Sequence, residues 1–132
     1  MKKRSVKKTK KIVEKYMFWW TRWLGLRWHN FSICYDNNWK EFDKKTDQRS
    51  GMRIYPDWRY MMFEIWVNLP PLRELSEETI EHMVVHECMH VFLNELRIEG
   101  SEQHNNHEER VATMLENAFL YVRDQVKEEC AG

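Results

Sequence analysis

The sequence predicts an α+β fold: an N-terminal helix, a small antiparallel or mixed sheet of about three strands, and two further helices. Three observations carry that expectation. Residues 12–24 are aromatic and amphipathic and stop at Gly25. Residues 59–68 alternate in the two-residue period of a strand. From Ser76 onward, a long apolar run and then a second 3.6-periodic segment follow. At 132 residues the chain reads as one domain, 1–132, large enough to bury a modest core. Seven Trp and an aromatic share of 14% give that core a large apolar payload.

In the first helix, Ile12, Tyr16, Trp19, Trp20 and Trp23 form the stripe expected to face the core. Ahead of it, residues 1–15 carry eight Lys and Arg against Glu14, a net of +7. The whole chain is neutral, so the remainder carries −7. Residues 1–11 are expected to be a flexible basic arm, and residues 2–15 are a candidate weak contact for nucleic acid. A solvated terminus is the plainer reading, and a membrane-surface role for the tryptophans behind the arm is a further one.

Residues 27–35 alternate well enough for a strand. A polar loop is expected around 37–51, a short strand at 52–55, and a turn at Pro56-Asp57. In 59–68 one face holds Met61, Phe63, Ile65 and Val67, and this apolar face should pack on the helices.

Pro70-Pro71 ends that strand segment. Ser76 can cap the next helix, Glu77 and Glu78 suit its positive end, and Leu75 and Ile80 fit a hydrophobic staple. The run continues to Gly100, a plausible stop. It is apolar nearly all round, so it is expected to be central. Within it, His86-Glu87-Cys88-Met89-His90 spells H-E-x-x-H. Residues four apart share a helix face, so both imidazoles can reach one Zn²⁺, with Glu87 beside the water it activates. Uncompensated, two histidines and a glutamate would be costly inside such a helix, and a metal accounts for them economically. The competing reading makes His86 and His90 hydrogen-bonded core residues. His82, one turn earlier on the same face, reads either as an outer support of the site or as a partly exposed histidine. Cys88 is offset from the metal face and reads as a small core residue.

A catalytic zinc site uses three protein ligands, so a third is expected downstream. After a polar loop at 97–106, a helix is expected to start at Glu108-Glu109. Its apolar positions are Val111, Met114, Leu115, Ala118, Phe119 and Val122. Glu109 lies in its first turn, and Glu108 is the rival ligand because it continues the apolar stripe.

Eighteen residues separate His90 from Glu109. This pattern, with Glu109-Arg110-Val111-Ala112-Thr113-Met114, resembles the gluzincin metallopeptidases of the zincin class. In size the chain looks more like the minimal zincin-like metallopeptidases of phages and prokaryotes. The resemblance spans about residues 18–125, and only the helix pair is specific. It implies a minimal zincin-like fold with His86, His90 and Glu109 on Zn²⁺, Glu87 as general base, and Thr113 steadying a ligand. It also implies peptide-bond hydrolysis of a peptide or protein substrate, with strand 59–68 as the sheet edge that the substrate pairs with. The alternative is a non-catalytic zinc-binding module that contacts nucleic acid or a host protein through its basic arm. Tyr121, His104 and His107 are candidate oxyanion stabilisers.

Three widely spaced cysteines, an odd number, and a lysine-rich start without the apolar centre of a secretory signal lead to the expectation of a reduced, cytoplasmic protein. No stretch approaches the roughly 20 apolar residues of a membrane span.

Overall fold

A computed structural model of the chain describes residues 3–26, 30–36, 51–57, 62–93 and 102–131, with side chains at 56, 57, 92, 102–107 and 131 excepted. The fold is α+β, with four helices and a three-stranded mixed sheet among these residues. Helix α1 spans Val6–Trp23. Ser5 starts it, its Oγ accepting from the Lys8 N–H at 3.1 Å. Gly25, at φ 76°, lies just past the Leu24 cap, in a conformation that favours glycine.

Residues 6–11 are therefore helical, where the sequence led to the expectation of a flexible arm. The chain before them is also anchored. The Arg4 guanidinium donates to the carbonyls of Leu72 (3.2 Å) and Leu75 (2.9 Å), and the Arg73 Nε–H donates to the Arg4 carbonyl at 2.7 Å. The buried stripe of α1 is Thr9, Val13, Met17, Trp20 and Thr21, which is rotated from the expected one and leaves Trp19 and Trp23 outward. Two threonines made the stripe look polar. Each is satisfied by its own helix, Thr9 Oγ1 donating to Ser5 O (2.8 Å) and Thr21 Oγ1 to Met17 O (2.6 Å).

Strands β1 (Asn30–Asp36), β2 (Met52–Asp57) and β3 (Met62–Asn68) form a sheet in the order β1-β3-β2. β3 pairs parallel with β1, Ile33 opposite Ile65, and antiparallel with β2, Ile54 opposite Ile65. It is thus the central strand, which corrects the expectation that 59–68 forms the edge. Its alternation behaves as expected, with Phe63, Ile65 and Val67 buried. Pro56-Asp57 continues β2 rather than turning. A proline is tolerated there because β2 is an edge strand among the described residues.

Pro70 and Pro71 sit in a one-turn helix, α2 (Leu69–Leu72). Helix α3 (Glu77–Leu93) follows, with the Ser76 Oγ accepting from the Thr79 N–H at 3.1 Å. Its Ile80, Val84, Val85, Cys88 and Met89 are fully buried. Each such side chain contributes roughly 1.5–3 kcal/mol of apolar burial, with Cys88 at the low end. α3 packs against α1, β2 and α4 (Glu102–Ala131), so it is the central helix. The expected stop at Gly100 lies outside the described residues.

α4 begins before the expected start at Glu108. It buries Ala112 and Leu120, while Met114 and Val122, placed in the expected core stripe, are exposed. Its inward face is partly polar. The Arg123 guanidinium forks onto Glu81, one N–H at 2.8 Å from Oε1 and the other on Oε2, which also accepts from the Trp20 indole at 2.9 Å. One buried carboxylate thereby ties α1, α3 and α4 together.

Candidate metal centre

The antiparallel run of α3 and α4 sets the rungs of the site. His82, His86 and His90 lie one turn apart on α3, and Glu116, Glu109 and Glu108 come to them from α4. The Nε2 atoms of His86 and His90 are 3.3 Å apart. Glu109 caps both, with Oε2 3.1 Å from His86 Nε2 and Oε1 2.9 Å from His90 Nε2. Among the described residues, His86, His90 and Glu109 are the group whose donor atoms converge, all within 4.8 Å of one another.

These distances can be tested against an ion. Tetrahedral zinc with bonds of about 2.0–2.1 Å has ligand atoms about 3.3–3.4 Å apart. The two nitrogens already stand at that spacing, and the carboxylate is a few tenths of an ångström closer. Two imidazole nitrogens and one carboxylate are also a donor set that zinc accepts. The residues fit the ion.

The far side of each imidazole is held as well. His86 Nδ1 lies 3.0 Å from Glu116 Oε1, and His90 Nδ1 lies 2.9 Å from Glu108 Oε1. A carboxylate at Nδ1 fixes the ring and the tautomer that leaves the Nε2 lone pair free for a metal. Glu108, the rival ligand, therefore occupies the supporting position, and Glu109 faces the convergence point. The second oxygen of Glu116 takes His82 Nδ1 at 2.9 Å, so His82 stands one step outside the triad.

Thr113, expected to steady a ligand, touches Glu109 through the backbone and not through its carboxylate. It is exposed, and its hydroxyl donates back to the Glu109 carbonyl at 3.0 Å. Tyr121 lies three helical turns beyond Glu109 and is 66% exposed, away from the triad. The side chains of His104 and His107 lie outside the described residues. Cys88 is fully buried, and burial pushes its thiol up to about 12, as befits an inert core residue.

The electrostatics of the metal-free cluster favour positive charge. Burial alone would lower the pKa of His86. Its hydrogen bonds to Glu109 and Glu116, with the nearby Glu87 charge, outweigh that and push it up to about 10. His90 moves the same way, burial being outweighed by Glu109 and Glu108. Glu109 is held far below the usual carboxylate range by the two imidazoles. Burial pushes Glu87 up to about 7, against the pull of His90 and His86. Carboxylates on both sides thus raise the proton affinity of both imidazoles against the effect of burial.

Glu109 is 59% exposed while His86 and His90 are mostly covered, so the cluster opens to solvent past Glu109. Sequence reasoning missed Glu116 and the supporting position of Glu108. The available signal was the antiparallel pairing itself, since a partner for His90 near residue 108 places residue 116 beside His82 and His86. No family model, curated protein or solved structure matches the chain.

Proposed function

We propose that the chain is a zinc-dependent metallopeptidase, with His86, His90 and Glu109 as the ligands and Glu87 as the general base. One observation carries this reading. Both Nε2 atoms and the Glu109 carboxylate converge on one point, while a carboxylate backs each Nδ1. Zinc held there would supply Lewis acidity to the scissile carbonyl and to the attacking water.

The remaining work falls to the chain's own residues. Glu87, beside His86 and poised near neutrality by burial, accepts the water proton and passes it to the leaving amine. Glu108 and Glu116 keep the imidazoles aimed. β2 packs on α3 and is an edge of the sheet among the described residues, so an extended peptide can add to it as a further strand beside the site. This gives β2 the role that the zincin resemblance implied for 59–68. No described helix is long and apolar enough to cross a membrane. We place the reading in a cytoplasmic setting, where Cys34, Cys88 and Cys130 stay free thiols.

The test is Glu87→Gln in zinc-loaded protein, assayed on a mixed peptide library. Zinc content should be unchanged and turnover should fall by about 10²–10⁴-fold. Undiminished cleavage by the variant would remove Glu87 from the mechanism. Zinc binding without cleavage by the native chain would favour the non-catalytic zinc module.

A further inference from the structure

The outward side of α1 carries a chemistry that the metal centre does not use. Lys7, Lys8, Lys11 and Arg22 are exposed along it, and Lys15 lies there too, paired with Glu77 at 2.6 Å. Phe18, Trp19 and Trp23 are 64%, 42% and 45% exposed toward the end of the helix, Phe18 on the flank beside Phe31 of β1 and Trp23, stacked on Trp19, on the flank beside α4. The helix's single carboxylate, Glu14, is turned to the flank, where the Tyr35 hydroxyl donates to it at 3.0 Å. The face therefore combines several cations with large apolar rings, its nearest carboxylates being Glu14 at the flank and Glu77 on Lys15, on a chain whose remainder is net negative.

Single exposed apolar residues are ordinary, but a cluster is not. Three aromatic rings fall within six residues here. Through Trp23 against Phe119, at 5.7 Å between centroids, the patch reaches the exposed Val122 and Val126 of α4.

We propose that this face of α1 docks on an anionic phospholipid bilayer, its lysines and arginine on the headgroup phosphates and Phe18, Trp19 and Trp23 in the interfacial layer. Helices that lie in a membrane interface carry both Lys or Arg and Trp or Phe, a cluster of four or more cations on such a helix binds anionic headgroups, and indoles prefer the headgroup depth. Two other occupants suit the face less well. Single-stranded nucleic acid needs free ring faces, usually along a groove. Trp19 and Trp23 instead spend a face on each other, stacked at 5.9 Å and 10°, and the surface is one side of a helix. A second copy of the chain in a two-fold contact would set these cations against themselves.

The experiment is flotation of the full chain with phosphatidylcholine vesicles containing about 30% phosphatidylglycerol, against phosphatidylcholine alone. The chain should float with the anionic vesicles only, with a blue shift of Trp emission. Lys7→Glu, Lys8→Glu and Lys11→Glu together should reduce partitioning by at least about fivefold per cation. Phe18→Ser with Trp19→Ser should reduce it by about tenfold or more, since tenfold is about 1.4 kcal/mol and the apolar burial of two rings exceeds that. Far-UV circular dichroism should show both variants folded. Failure of the folded native chain to float would overturn the proposal. So would equal binding to neutral vesicles, tighter retention by single-stranded DNA, or a dimer that shields Trp19.

Discussion

Replacing Glu116 by Ala should weaken zinc binding by about 10–100-fold without removing a ligand. The magnitude follows from what Glu116 touches. Its side chain is 12% exposed, and its two oxygens are engaged with His86 Nδ1 at 3.0 Å and His82 Nδ1 at 2.9 Å. Without it, the covered His86 ring loses the acceptor that fixes its tautomer, and the orientation of Nε2 with it. His82, at 40% exposure, can recover a water partner, so its share of the loss is small. A tenfold to hundredfold change corresponds to about 1.4–2.7 kcal/mol, the scale of one hydrogen bond between a charged carboxylate and a buried donor. Competition against a chromophoric chelator reads it directly. Glu108→Ala should behave similarly through His90, and His82→Ala should cost less than threefold. Unchanged zinc affinity in both Glu116→Ala and Glu108→Ala would refute the claim that the carboxylates at Nδ1 organise the site.

Other consequences concern the scaffold. Arg123→Ala should lower the unfolding free energy by about 3–5 kcal/mol in urea titrations, because it leaves the buried Glu81 charge without its guanidinium. The same pair sets an acid limit. Burial alone would raise the Glu81 carboxyl, but Arg123 and Trp20 hold it below its ordinary value. Its stabilisation is therefore complete above the unfolded carboxylate pKa of about 4.3 and lost as pH falls through the lower folded value. Glu81→Gln should flatten that part of the stability profile. Gly51→Ala should cost about 1–3 kcal/mol by thermal denaturation, since an added Cβ would stand 2.5 Å from both Leu72 Cδ1 and Met83 Cε.

What the sequence disclosed followed local chemistry. The Ser76 cap, the apolar run and the H-E-x-x-H spacing are each written within one helix, so α3 and its histidines were legible. Gly25 as the stop of α1 and the alternating face of β3 were legible for the same reason. The errors arose where tertiary packing chooses among local options. Past Tyr16, aromatic residues occupy most sides of α1, so periodicity could not tell that Trp20 faces inward while Trp19 and Trp23 do not. On α4 the inward face includes Glu108, Glu116 and Arg123, which read as solvated charges until α3 supplies their partners. Strand order was likewise hidden, because alternation in 62–68 reports a buried face and not whether one or both edges are paired.

The central claim is that α3 and α4 build a zinc site, and elemental analysis of protein purified without added metal tests it most directly. The native chain should carry about one zinc, and His90→Ala should lose it while remaining folded. A native chain that holds no zinc even after reconstitution would return His86 and His90 to hydrogen-bonded packing and contradict the account.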